Sequence, residues 1–269
     1  VIKNKTLKEF MEVLVFENKE SGSLYAAQVI ANKVLMNNSV NEETVLGLAT
    51  GSTPTDMYKA LIEINKSGVS FSRIITYNLD EYYPMKKSSP HSYHYYMYDH
   101  FFQHVDIHEE NIFIPNGEIK NEDLSKFCKE YELSIRRNGG IDIQVLGLGL
   151  NGHIGFNEPG FSMDSLTQKV TLSDTTRTAA VKYFGKKEEV PFQAISMGIS
   201  TILNADHIML MAWGNEKAEI VKESIEGQLS KDVPGTYLQT HKNVTIILDA
   251  ESASKLDNDR ISLIESKLS

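Results

Sequence analysis

The chain has 269 residues, 41% of them hydrophobic, and a formal net charge of −9. That length suits one large α/β core, and the acidity argues against a general nucleic-acid surface, which needs clustered Lys and Arg. No apolar run approaches the ~20 residues of a membrane span, and a single cysteine, Cys128, excludes an internal disulfide framework or a cysteine metal cluster.

In chain order, short apolar runs predict strands at 13–16, 44–49, 74–78, 141–147, 207–213 and 244–248. Helical periodicity falls between them at 19–36, 54–65, 122–137 and 215–226. Strands of nearly continuous hydrophobicity alternating with helices indicate a doubly wound, mostly parallel sheet with helices on both faces, a modified Rossmann-like α/β fold. With no linker or repeat in view, 1–269 reads as one domain. The segment 161–190 departs from the pattern: it is polar and threonine-rich, with a helix only from about Thr175. It is either a lid over a glycine-rich site or an ordinary surface excursion.

Ligands in such sheets bind beyond the carboxyl ends of the strands. After the second strand comes Thr50-Gly51-Ser52-Thr53-Pro54, with Thr53 as a plausible N-cap and Pro54 at the first helical position. This is either an anion site at a helix N-terminus or simply a well-capped helix. After the third strand come Asp80 and Glu81, one of which can face a site as a general base; the alternative is a solvated turn. Lys217 stands in a first helical turn, where the dipole disfavours cations, so an anion partner is one explanation.

The richest stretch is 145–160, a strand that breaks into Gly147-Leu-Gly149-Leu-Asn151-Gly152-His153 and reaches Glu158. It matches G-x-G-x-x-G, but two more glycines and a proline follow where a dinucleotide fold needs a helix, so NAD binding is not expected. His153 suits proton transfer near neutral pH, and Glu158 is placed to orient it. His100, His104 and His108 would align on a helix, yet no carboxylates converge on them; no metal is expected. The run of tyrosines from Tyr93 to Tyr98 is expected to pack under the sheet edge.

Together these motifs resemble the glucosamine-6-phosphate deaminase (isomerase) family. The matching residues run in order: Gly47-Leu-Ala-Thr-Gly-Ser-Thr-Pro54, Asn78-Leu-Asp-Glu-Tyr82, Gly152-His-Ile-Gly-Phe-Asn-Glu-Pro159 and Gly214-Asn-Glu-Lys217. The resemblance implies a cytoplasmic, cofactor-free and metal-free enzyme that turns D-glucosamine 6-phosphate and water into fructose 6-phosphate and ammonia. Its partner is a small sugar phosphate, with neither nucleic acid nor membrane, and a homo-oligomer is open. Asp80 would move the proton from C2 to C1, and His153 would assist ring opening, tuned by Glu158 and Asn151. Phosphate would sit on Thr50, Gly51, Ser52 and Thr53, with Lys217 opposite and Lys182 or Arg177 from the lid. Glu81 is grouped with the substrate-binding residues.

Three departures stand out. Many relatives carry aspartate where this chain has Asn151. An arginine in the lid helix aligns with Lys182, and an arginine-rich run is replaced by Ser165-Leu-Thr-Gln168. The last implies no activation by N-acetylglucosamine 6-phosphate and leaves a galactosamine 6-phosphate substrate open. The rival readings are a 6-phosphogluconolactonase-like hydrolase and a sugar-phosphate-sensing domain without turnover.

Overall fold

The computed structural model describes residues 11–257; residues 1–10 and 258–269 of the expected single domain lie outside that range. In chain order the elements are β1 (Met11–Phe16), α1 (Lys19–Ser39), β2 (Thr44–Leu48), α2 (Thr55–Lys66), β3 (Ile74–Asn78), β4 (Asp80–Tyr83), α3 (Tyr93–His100), β5 (Ile112–Phe113), α4 (Leu124–Arg137), β6 (Ile143–Gly147), β7 (Gln168–Thr171), α5 (Asp174–Phe184), β8 (Gln193–Ser196), α6 (Ile199–Leu203), β9 (His207–Ala212), α7 (Ala218–Glu226) and β10 (Val244–Asp249).

Seven strands form one sheet in the order β1-β10-β9-β6-β2-β3-β5, with every pairing parallel. All residues of β2, β3 and β10 are buried, which requires cover on both faces. The register shows how this is achieved. Ile247 pairs with Met211 and Met211 with Gly147. Helix α1 lies on that face, so close that a methyl on Gly22 would sit 3.1 Å from Ile247. Gln144, three residues before Gly147, points the other way. It pairs with Gly47 and Gly47 with Tyr77, whose ring meets Tyr131 of α4 edge-on at 5.5 Å. The sheet is therefore doubly wound.

From β2 the order runs outward through β3 and β5, then resumes on the other side with β6, β9 and β10. Strand order reverses between β2 and β6, and a crevice opens at such a switch point.

The unforeseen part is a second, antiparallel sheet in the order β4-β8-β7. Asp80–Tyr83 is no solvated turn: all four side chains are buried. Their polarity hides the strand from any hydrophobic pattern. Segment 161–190 supplies β7 and α5, which share a small separate core including Tyr82, Phe156, Val170, Leu172 and Phe184. Helix α3 also carries no apolar stripe; Ser92 caps it by accepting from the Tyr95 amide. It ends at His100, so His104 and His108 fall outside it and the three histidines do not align.

Candidate active site

A cleft of about 220 Å³ opens at the switch point, lined by Thr50, Gly51, Ser52, Thr53, Asp80, His153, Lys182 and Lys217. Six regions of the chain meet there. Four reach it because a strand ends nearby; Tyr93 comes from the start of α3 and Lys182 from α5.

The loop after β2 is held by its carbonyls. Tyr58 donates to Ala49 O at 2.5 Å, Tyr96 to Gly51 O at 2.7 Å and Trp213 Nε1 to Thr53 O at 3.0 Å. Among the described residues no backbone or side-chain acceptor takes the amides of Thr50, Gly51, Ser52 or Thr53. Donors without partners beside a helix start form an anion cradle. Gly51 at φ 90° makes the turn a side chain would oppose. The expected cap is displaced: α2 starts at Thr55, with Pro54 before it and no side-chain cap. The tyrosine run, expected under the sheet edge, instead turns Tyr93 to the cleft and Tyr96 to this loop.

Asp80 opens β4 and is buried against the cleft. Burial, reinforced by the charge of Glu81, pushes its carboxyl up to about 8. Glu81 points away from the cleft, contrary to its expected place among the substrate-binding residues. Its oxygens accept from the amides of Tyr82, Tyr93 and His94 at 2.8–3.0 Å, so it anchors the start of α3. Burial raises Glu81 to about 7, against those three hydrogen bonds. Alternation along a strand sends neighbouring carboxylates to opposite sides.

His153 lines the cleft while Asn151 and Glu158 stand behind it. Nδ1 lies 2.7 Å from Asn151 Oδ1, and Asn151 Nδ2 donates to Glu158 Oε2 at 2.8 Å. The direct His153–Glu158 separation is 3.7 Å, so the asparagine bridges them. Burial lowers the His153 pKa; Glu158 opposes this and Lys217 adds to it. Burial also works against the Glu158 carboxylate, but hydrogen bonds from Thr176, Ser173 and Asn151 and the nearby His153 hold its pKa below the usual value.

The cations divide. Lys217 donates from Nζ to Leu148 O at 2.7 Å, and its pKa is lowered by burial and by Lys182. Lys182 reaches the cleft from the last turn of α5. Arg177 does not: it is buried, donates to Lys187 O at 2.8 Å and Val190 O at 3.2 Å, and stacks on Phe192. Among the described residues no group of three or more His, Cys, Asp or Glu is arranged to hold a metal ion.

Sequence reasoning missed Ser173 and Thr176, which hold Glu158 from the first turn of α5. The signal was present: Ser173 accepts from the Thr176 amide as an N-cap. It missed Asn157, whose side chain ties the loop to Ile154 O and Met197 O.

A family model described as glucosamine-6-phosphate isomerases/6-phosphogluconolactonase matches residues 17–247. A glucosamine-6-phosphate deaminase of Thermoanaerobacter sp. (strain X514) is 47% identical over 256 residues, covering 95% of this chain and 99% of the relative. Another, from Clostridium botulinum (strain Loch Maree / Type A3), is 46% identical over 248 residues, with 92% and 99% covered. Among solved structures, a monomeric glucosamine-6-phosphate deaminase superposes with a TM-score of 0.87 at 43% identity, covering 91% of this chain and 100% of that one. The 6-phosphogluconolactonase of Trypanosoma brucei shares the fold, with a TM-score of 0.76 at 18% identity and 91% and 98% covered. The chain belongs to the glucosamine-6-phosphate isomerase/6-phosphogluconolactonase family.

Proposed function

We propose that the chain converts D-glucosamine 6-phosphate and water to fructose 6-phosphate and ammonia. The observation that carries this reading is one cleft lined by a buried carboxylate, an imidazole, a loop of free amides and two lysines. Names borne by relatives at 46–47% identity point the same way.

Phosphate sits on the 50–53 loop with Lys217 and Lys182 as counter-charges. His153 takes the proton of the anomeric hydroxyl and delivers it to the ring oxygen as the ring opens. Asp80 then removes the C2 proton and returns it to C1, passing through an enolamine. Water adds at C2 of the resulting imine, and ammonia leaves to give the ketose. Burial and Glu81 push the Asp80 carboxyl up to about 8, toward the protonated form; the substrate's ammonium group, brought within a few ångströms, favours the ionised base.

Ammonia release from glucosamine 6-phosphate tests the reading, beside galactosamine 6-phosphate and 6-phosphogluconolactone. The expected outcome is rapid ammonia release from glucosamine 6-phosphate. Lactone hydrolysis without ammonia from either amino sugar would sink it, and a preference for galactosamine 6-phosphate would overturn the choice of epimer.

A further inference from the structure

The Asn151 amide fits its surroundings only one way round. Nδ2 lies 2.8 Å from Glu158 Oε2, and Oδ1 lies 3.3 Å from the His153 backbone nitrogen. A carboxylate only accepts and a backbone N–H only donates. Half a turn of the amide would set oxygen against oxygen and N–H against N–H.

This orientation presents an acceptor to His153 Nδ1. The other polar side-chain atoms nearest Nδ1 are also oxygens, Thr176 Oγ1 at 3.4 Å and Glu158 Oε2 at 3.7 Å. The Thr176 hydroxyl can donate or accept, but the much shorter contact, Asn151 Oδ1 at 2.7 Å, can only accept. Nδ1 must therefore carry a hydrogen, and in a neutral imidazole the other nitrogen is then an acceptor. Gly149 fixes the ring's position: a Cβ there would lie 2.3 Å from both Cε1 and Nδ1. The middle glycine of the 147–152 pattern makes room for an imidazole.

We propose that Asn151 is a positioning residue that holds His153 as the Nδ1–H tautomer and leaves Nε2 unprotonated toward the cleft. The proposal rests on the ring-opening role given to His153 above. Nε2 takes the proton of the anomeric hydroxyl, whose oxygen forms the C1 carbonyl. The electron pair of the breaking C1–O bond goes to the ring oxygen, which receives the proton from Nε2. Asn151 has no basic site, so the proton cannot retreat through Nδ1 toward Glu158. The charges facing the ring are Glu158 behind and Lys217 in front, with Asp80 and Lys182 lining the same cleft.

The test is nitrogen-15 NMR of the full-length, ligand-free protein, with the His153 signals assigned by their loss in His153→Gln. The expected result at neutral pH is a protonated Nδ1 and a bare Nε2. In Asn151→Ala the two tautomers mix. In Asn151→Asp an anion faces Nδ1, and the His153 titration midpoint rises by about one pH unit. A protonated Nε2 in the wild type overturns the proposal, as does a tautomer and midpoint unchanged in both variants. The wild-type spectrum decides the tautomer even where a variant fails to fold. Because no turnover is measured, this test can fail while ammonia release succeeds, and the reverse.

Discussion

The seven-stranded sheet buries strands of almost unbroken apolar sequence, whereas the three-stranded sheet places carboxylate, amide and hydroxyl side chains on short antiparallel strands. The first contributes backbone and frame: the open amides of the 50–53 loop, the ring seat at Gly149 and the carbonyl that holds Lys217. The second contributes altered side chains. Asp80 is the first residue of β4 and pairs across to Ser196, so the base stands where the two sheets meet. The lesson is a division of labour. A large core can fix donors in place, while a small, polar sheet tolerates the buried acid that chemistry requires and the stability it costs.

The sharpest way to break that contrast is Asp80→Asn. The rate constant kcat should fall about 10²–10⁴-fold with KM little changed, because the base is lost and the shape kept. Unchanged kcat would remove Asp80 from the mechanism. Stability should move the other way. Asp80 has a folded pKa of about 8 against a reference of 3.8. The folded state therefore binds the extra proton, and the stability this gives is full below the reference value and lost as pH rises through about 8. The variant escapes that loss, so its advantage in denaturant melts should grow from acid to alkaline pH, toward about 2–5 kcal/mol. A constant difference across that range would count against the buried acid. In the wild type, the acid limb of kcat/KM should lie near 8 and that of kcat lower, since substrate brings a cation to Asp80. Coincident limbs would contradict this.

Gly149→Ala probes the frame instead. The new methyl collides with the His153 ring, and a displacement near 1 Å should cost about 10²-fold in kcat/KM. On a His153→Gln background the same change should cost little more, as effects routed through one side chain do not add. Additive losses would place the role of Gly149 elsewhere. Lys217→Ala should weaken phosphate recognition by about 1.5–3 kcal/mol, roughly ten- to a hundredfold in affinity. Competition binding with phosphorylated and unphosphorylated amino sugars checks this; an equal penalty for both would rule out a phosphate contact.

The same contrast explains what was legible in sequence. All six expected strands exist because continuous apolar runs have one reading when both faces are covered. The second sheet was invisible: Asp80-Glu-Tyr-Tyr83 shows no apolar alternation, and Gln168-Lys-Val-Thr171 gives one buried side chain in four. The 50–53 loop and His153 were candidates because glycine, hydroxyl and histidine follow strand ends. The choice of Asp80 over a solvated turn and the naming of Lys182 rested on the family resemblance. Glu81, expected at the substrate, and Arg177, the alternative to Lys182, stand away from the cleft for a common reason. Their chemistry suits a ligand, but one is fully used by backbone amides and the other by backbone carbonyls, partners that side-chain types do not announce.

Arg177→Lys gives the smallest effect and separates two readings of the small sheet. If Arg177 were the phosphate cation of the lid, lysine would keep the charge and lose the fork, and the penalty would appear only with phosphorylated ligand. The structure gives it another task. Its guanidinium spans Lys187 O and Val190 O and lies 3.7 Å over the Phe192 ring, joining α5 to the turn that follows. Lysine can replace one of those hydrogen bonds but neither the second nor the stacking. The loss should be about 1 kcal/mol, close to one net hydrogen bond, giving about a fivefold weaker affinity for phosphorylated and unphosphorylated sugars alike. Hydrogen exchange should quicken in α5 and at 187–192 while the seven-stranded sheet keeps its protection. A penalty confined to phosphorylated ligand, with exchange unchanged, would return Arg177 to the phosphate site.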